Sequence, residues 1–381
     1  MDFTLNEEQK MIIQEARRFA EERLAPKIEE LDQKGEVNLK ALKELGELGY
    51  LGMTVPEQYG GVNAGVVAYA GALIELSKVD AGTAVAVSVH NSLVNEGILL
   101  FGSEQQRQAY LPALTSGEKL GCFSLSEANA GSDPGALQLF ADRSGNEYVL
   151  NGTKNFTTSG DIADVIMVFA QTNKDKGAKG ISAFLLAKDT AGFSVGKHEN
   201  KMGIRSASCT ELVFDNCRLP ADSLLGQENK GLKIALTLLD GGRISIAAQA
   251  VGIAQAAYQE ALRYSRERVQ FKRPIAQFQA IQFMLAEMAT ELELATTQLF
   301  KVAWMKESAV KDYVKEAAML KLFASEMSHR VCHKALQIHG GYGYMKEYKV
   351  ERLYRDQRIT EIYEGTSEIQ KIVIARKILE T

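Results

Sequence analysis

The chain has 381 residues, 46% of them hydrophobic and 24% charged, with a formal net charge of −4. That composition is ordinary for a soluble globular protein, and the length suggests two or three domains. It carries no basic footprint, which argues against nucleic acid as a partner.

Residues 1–118 have a helical period throughout. Thr4-x-x-Glu7 reads as a capping box opening an amphipathic run to about Glu30, with Pro26 as a break. Residues 40–48, 66–76 and 83–101 repeat the spacing, and Ser103-x-x-Gln106 caps another helix. Between about Leu120 and Pro220 the texture changes. "EYVLNG", "DVIMVFAQ", "ISAFLLA", "GFSVG" and "TELVFDNCRLP" are short, rich in Val, Ile and Phe, and bounded by Gly, Asn and Asp, as strands are. Their spacing leaves no room for crossover helices, so antiparallel pairing in a small barrel or sandwich is expected. The helical period returns from about Gln227, with long segments near 228–265, 276–307 and 312–339. Gly340-Gly341 ends the third, and a last helix covers about 368–379, where Ile369, Ile372, Val373 and Leu379 form one apolar face. The expected fold class is α+β multidomain: a helical domain over 1–118, an antiparallel β domain over 119–226 and a helical bundle over 227–381.

The longest apolar run, residues 81–89, is too short for a membrane helix and holds Thr83 and Ser88, so no membrane partner is expected. The first residues lead straight into a helix-like segment without a signal-peptide pattern. The cysteines Cys122, Cys209, Cys217 and Cys332 form no Cys-x-x-Cys pair, so a reduced intracellular compartment is the expectation.

Several stretches could carry chemistry. "FSLSEANAGSDPGA", residues 123–136, offers hydroxyls, small residues and backbone amides in a turn after a strand. It suits a planar or anionic ligand, although its composition also fits a plain surface loop. "KNFTTSG", residues 154–160, pairs an aromatic face with two hydroxyls, or simply ends a hairpin. "QIHGGYGY", residues 337–344, lets a ligand approach the backbone, yet it follows a helix and lacks the G-x-G-x-x-G spacing, so a nicotinamide site is unsupported. His329 and His333 lie four apart on a helix without a third metal ligand, which fits a solvated face better than a metal site. "IYEGTSEIQ", residues 362–370, sets Glu364 between a ring and a glycine just outside a helix start. Ser367-x-x-Gln370 reads as its capping box, and the helix dipole would favour a nearby anion by roughly 0.3–1 kcal/mol.

In this order the pieces resemble the acyl-CoA dehydrogenase family, closest to the short-chain, butyryl-CoA type, and the likeness spans essentially the whole chain. It rests on Leu125-Ser126-Glu127-x-x-Ala130-Gly131-Ser132-Asp133-x-x-Ala136. It rests also on Gln337 with Gly340-Gly341-x-Gly343-Tyr344, Glu347, Arg352 and Asp356, and on "IYEGTSEIQ".

The resemblance implies an FAD enzyme that forms a trans double bond between Cα and Cβ of a short-chain acyl-CoA. It implies a homotetramer with a C-terminal four-helix bundle, electron-transferring flavoprotein as acceptor, and a cytoplasmic or mitochondrial-matrix location. Branched short-chain substrates remain open, and an oxygen-reducing relative is less favoured, as is a non-catalytic binding protein. Glu364 matches the base, its acidity to be weakened by burial when substrate expels water. Donors on the thioester oxygen, a ribityl hydroxyl and the Glu364 N–H, would stabilise the enolate. Some relatives carry their base at the position of Gly242, where glycine cannot serve. Phe123, Leu125, Ser126, Gly131, Ser132, Phe156 and Thr158 match flavin contacts. The family more often has Thr at 126, Pro at 128 and Trp at 156. Ser132, Asp240, Arg243, Tyr363 and Gly365 match substrate contacts, Gly365 being expected to avoid crowding the thioester or the flavin. Arg268, Phe271, Gln279, Gln337, Gly340 and Gly341 match residues that reach a neighbouring subunit's FAD, and Thr366 and Glu368 match positions near the pyrophosphate and adenosine. Lys272 stands where relatives usually have Gly; it would alter the turn before Pro274 or add charge near the phosphates.

Overall fold

The computed structural model describes residues 4–379. Seven helices come first: α1 (Glu7–Phe19), α2 (Ile28–Lys34), α3 (Leu39–Glu47), α4 (Gly65–Ser77), α5 (Ala81–Val89), α6 (Glu96–Phe101) and α7 (Glu104–Thr115). The first cap lies two residues later than expected. Asn6, not Thr4, accepts from the Gln9 N–H, and the Gln9 side chain returns the bond. The amphipathic run to Glu30 is not one helix. A π-turn at Ala20–Leu24 and a turn through Pro26 divide it, since Pro26 has no N–H to continue the ladder. Ser103 and Gln106 form the expected box at α7.

The central region holds β1 (Gly121–Ser124), β2 (Phe140–Ser144), β3 (Glu147–Thr158), β4 (Val165–Gln171), β5 (Ile181–Ala187), β6 (Phe193–His198), β7 (Cys209–Pro220) and β8 (Leu224–Leu225). They form one sheet in the order β6-β7-β3-β2-β4-β5-β8, with β1 beside β4. Most pairs are antiparallel, but β1 and β4 run parallel with Gly121 opposite Val165. The expectation of antiparallel pairing alone is corrected here. The crossover that parallel strands need is supplied by the β2–β3 excursion, not by a helix. β4 is buried on both faces, which explains its unbroken apolar run. Val165, Met167 and Phe169 join the helical core, while Ile166, Val168 and Ala170 join a second core on the sheet's other face with Leu150, Phe184 and Phe214.

The chain then forms α8 (Gly231–Glu267), a hairpin of β9 (Val269–Gln270) and β10 (Arg273–Pro274), α9 (Gln279–Glu307), α10 (Val314–His339), α11 (Lys349–Gln357) and α12 (Ser367–Leu379). α8 is the central post. A Cβ on Gly252 would collide with the Ile74 carbonyl, so the missing side chain lets α8 and α4 approach backbone to backbone. The Gln249 amide also donates to the Ala81 carbonyl at 2.7 Å.

Two helical stretches, Ala81–Phe101 and Gly231–Glu267, are long and apolar enough to cross a membrane by length and composition, contrary to the reading that stopped at residue 89. In each, 78% of the apolar window is buried within the protein, as in core helices. The apolar run ends at His90 but the helical path does not, because its polar groups are satisfied inside. His90 Nε2 donates to the Leu114 carbonyl and Nδ1 accepts from the Gly121 N–H. Asn91 donates to the Tyr50 and Val87 carbonyls. Burial pushes His90 down to about 4, so it stays neutral. The apolar face expected on α12 is only partly packed within the chain: Ile369 and Val373 are half-buried, Ile372 and Leu379 are exposed, and the buried positions are Ser367 and Gln370.

Candidate active site

Glu364 lies in the turn between α11 and α12. Its φ is +50° and that of Gly365 is +93°, two left-handed residues in succession. The first costs roughly 1–2 kcal/mol for a residue with a Cβ. The backbone gives Gly365 a reason of its own to be glycine. Its φ favours glycine, and an added Cβ would stand 2.7 Å from the Gln370 amide nitrogen within the chain itself. The Ser367–Gln370 capping box is also absent. Thr366 caps α12, its Oγ1 accepting from the Ile369 N–H at 3.3 Å. Gln370 turns back and donates to the Gly365 carbonyl at 2.9 Å and the Glu364 carbonyl at 3.3 Å.

The Glu364 side chain points inward. A Cβ built on Gly242 of α8 would collide with Glu364 Oε2, and the same point lies 3.3 Å from Leu93. Glycine at 242 is therefore the space in which the carboxylate sits. Oε2 is enclosed and has no hydrogen-bond partner among the described residues. Burial pushes the carboxyl up to about 7, against the downward pull of Lys321 and Arg243. A half-buried carboxylate with one oxygen enclosed and unpartnered, its acidity weakened towards neutrality, has the character of an acid side chain that serves as a base.

Of the other proposed substrate contacts, Arg243 and Tyr363 act on it directly. Arg243 is buried on α8 and holds Asp240 at 2.5 Å one turn away, while its Nε has no partner among the described residues. Burial raises the Asp240 carboxyl in spite of that guanidinium. The Tyr363 hydroxyl donates to Gln249 Oε1. Ser132 is exposed on the loop after β1 and is not joined to this cluster by any hydrogen bond among the described residues.

The loop after β1 and the end of β3 come together. The Asn155 N–H donates to the Ser126 carbonyl at 2.8 Å, and Ser124 and Thr157 hydroxyls meet at 2.8 Å. Leu125 is buried, while Phe123, Ser126 and Thr158 are half-buried. Phe156, at a φ of +57° beside a bulge in β3, leaves its ring 65% exposed. A Cβ on Gly131 would meet nothing within 4 Å. An exposed aromatic face, half-buried hydroxyls and the buried, unpartnered Asn155 Oδ1 fit a flat ring with polar edges.

A buried pair whose role the sequence did not reveal holds this loop. Lys154 is fully buried and donates to Glu127 at 2.7 Å and to the Leu125 carbonyl at 3.0 Å. Glu127 in turn accepts from the Gln138 and Leu139 N–H groups at 2.5 and 2.9 Å. The signal was a lysine at an inward position of a strand.

Arg268, Gly340 and Gly341 line a separate open groove with Tyr264 and Tyr342, and the Arg268 guanidinium lies 5.5 Å from the Tyr342 ring centre. Gln337 and Gln279 are exposed nearby in sequence, on α10 and at the start of α9. Lys321 and Gly340 are separated along α10 by about 28 Å at 1.5 Å per residue, so within one chain this group stands apart from Glu364. Phe271 is 88% exposed at the tip of the β9–β10 hairpin. There φ is +50° at Phe271 and +68° at Lys272, the sign pattern of a two-residue hairpin turn. Lys272 thus adopts the geometry glycine would, and the turn is kept. Glu368 is exposed in the first turn of α12. His329 Nδ1 sits 3.3 Å from Glu361, and among the described residues no group of three or more His, Cys, Asp or Glu could hold a metal.

Three family models match in chain order: acyl-CoA dehydrogenase N-terminal domain over residues 6–118, middle domain over 122–217 and C-terminal domain over 229–379. The chain is 47% identical to acryloyl-CoA reductase (NADH) of Anaerotignum propionicum, across 100% of this chain and 96% of the relative. It is 46% identical to the short-chain specific acyl-CoA dehydrogenase of Clostridium acetobutylicum, across 99% and 100%. The butyryl-CoA dehydrogenase structure from Megasphaera elsdenii superposes with a TM-score of 0.98 at 45% identity, covering both chains in full.

Proposed function

The chain belongs to the acyl-CoA dehydrogenase family of flavoprotein oxidoreductases, and from that premise we propose that it dehydrogenates short-chain acyl-CoA thioesters with Glu364 as the base. The observation that carries this reading is the enclosed Glu364 Oε2 against Gly242, with no partner of its own among the described residues and an acidity moved to about 7. FAD is the proposed cofactor; when bound it supplies the acceptor for the β-hydrogen and its electron pair.

The chain's own residues have the rest of the task. An α-hydrogen of a thioester is far less acidic than a carboxylic acid, so the base must be strengthened and the developing oxyanion held. A rise from 4.5 to about 7 strengthens the base by on the order of 3 kcal/mol at 1.36 kcal/mol per pH unit. The Glu364 N–H donates to no group among the described residues, which leaves it available for the thioester oxygen. Phe123, Leu125, Ser126, Gly131, Phe156 and Thr158 would hold the flavin ring, with Lys154 and Glu127 fixing the loop. Ser132, Asp240, Arg243 and Tyr363 would bind the CoA ester. Arg268, Phe271, Gln279, Gln337, Gly340 and Gly341 would serve the cofactor of a second copy, and Thr366 and Glu368, next to Glu364, would lie near the pyrophosphate and adenosine. Exposed Phe283, Leu294 and Trp304 on α9 support association of copies through that helix; the homotetramer itself is proposed on the family likeness, and sedimentation would test it. Electron-transferring flavoprotein is the proposed acceptor, on the family likeness.

The short-chain reading rests on the named relatives. Anaerobic mixing with acyl-CoA esters from propionyl to octanoyl should bleach the flavin band fastest with butyryl-CoA. Absence of bleaching with every short ester would overturn it. A second reading is favoured by the 47% identity to a relative named for acryloyl-CoA reduction. The same base would then return a proton to Cα. Reoxidation of the reduced protein by acryloyl-CoA, faster than its bleaching by propionyl-CoA, would select that direction.

A further inference from the structure

We infer that Lys321 is a positioning residue for the Glu364 turn, its buried ammonium group gripping the Gly365 carbonyl and so fixing where the Glu364 carboxylate and N–H point. The inference rests on Glu364 being the base. Lys321 is 0% exposed, on the inward face of α10 among Ala317, Ala318 and Ala324. Burying an ammonium is costly unless it is paired. The group that receives it here is no carboxylate but the neutral carbonyl of Gly365, at 2.7 Å. That same oxygen accepts from Gln370, which reaches the Glu364 carbonyl as well. One carbonyl thus takes two donors, one from α10 and one from α12, which is all its lone pairs allow. The two residues bearing positive φ are therefore held from both sides.

Strained turns persist only where their surroundings over-determine them, and Lys321 is the member of that grip that also carries charge. The charged groups around it are Glu364, Arg243 from α8, Glu361 and Glu368. Those around Glu364 are Lys321 and Arg243, with Tyr363 beside it and Tyr69 on α4. Removing the ammonium should do two separable things. It should loosen the turn, and it should weaken the acidity of Glu364 by taking away a neighbouring cation. A lysine that only filled space would do neither when replaced by methionine of similar length.

The test uses Lys321→Met and Lys321→Gln in the flavin-loaded protein. Hydrogen exchange of the peptide spanning residues 359–370 reads the turn without any substrate. Rapid mixing with butyryl-CoA from pH 6 to 9 reads the base. In Lys321→Met, exchange should be roughly tenfold faster, bleaching should slow by ten- to roughly a hundredfold, KM should change little, and the pH midpoint of bleaching should move up. Lys321→Gln keeps a donor without the charge, so it should recover most of the exchange protection and leave the midpoint raised. If the methionine variant fails to fold, the midpoint in the glutamine variant decides. Wild-type exchange in Lys321→Met, or an unmoved midpoint in either variant, overturns the inference. If the wild type bleaches with no acyl-CoA, the short-chain reading has failed, and the exchange arm still decides the assignment of Lys321.

Discussion

Two turns in this protein place successive residues in the left-handed region, and they use it differently. At Phe271–Lys272 the strain sits at the tip of an exposed two-strand hairpin, with Phe271 almost fully in solvent. At Glu364–Gly365 it sits between buried helices, and Lys321 and Gln370 hold the carbonyls. The hairpin keeps its shape because the ladder and the turn type require it. The inner turn keeps its shape because side chains far apart in the chain converge on it. Similar backbone angles therefore mean tolerance in one place and aim in the other. Changes at the inner turn should cost function with little loss of fold, and changes at the outer turn should alter stability.

The largest expected effect comes from Gly242→Ala. Alanine favours a helix over glycine by about 1 kcal/mol, so thermal stability should hold. Its methyl group takes the space of Glu364 Oε2, and bleaching by acyl-CoA should fall by on the order of a hundredfold. Wild-type bleaching rates in that variant would break the contrast.

A smaller effect should appear in stability against pH. Glu364 holds its proton more tightly folded than unfolded. Its stabilising contribution is therefore complete below pH 4.5 and is lost as pH rises through about 7. Glu364→Gln escapes that loss. Without ligand its unfolding free energy should match that of the wild type near pH 4.5 and exceed it at pH 8, by up to on the order of 3 kcal/mol. A constant difference across that range would count against the buried titration.

The smallest effect belongs to the outer turn. Lys272→Gly should relieve left-handed strain and raise stability by about 1 kcal/mol, read from urea unfolding, with bleaching unchanged. A destabilised glycine variant would mean that Lys272 makes a contact the hairpin does not reveal.

The helices and strands were legible in the sequence where local period carried them. "ISAFLLA" is β5 from end to end, and the α, β, α order follows from periodicity alone. The parallel β1–β4 pair was not legible, because its partners are brought together by the intervening hairpin rather than by neighbouring sequence. Both missed caps were cases of several polar residues competing within two or three positions. Glu364 was legible through its motif context, and its setting was not. Gly242, Lys321, Gln249 and Gln370 reach Glu364 or its neighbours Tyr363 and Gly365 from α8, α10 and α12, and spacing cannot report such contacts. Lys321 did leave a trace, as a charge on an otherwise small and apolar helix stripe.

The central claim is that Glu364 moves the α-proton of a bound acyl-CoA. Mass spectrometry can follow deuterium entering Cα when the flavin-loaded protein and butyryl-CoA are held anaerobically in heavy water. The wild type should label the α-carbon and Glu364→Gln, with flavin and CoA-ester binding retained, should leave it unlabelled. Labelling of the variant at the wild-type rate would contradict the assignment and send the search for the base elsewhere in the site.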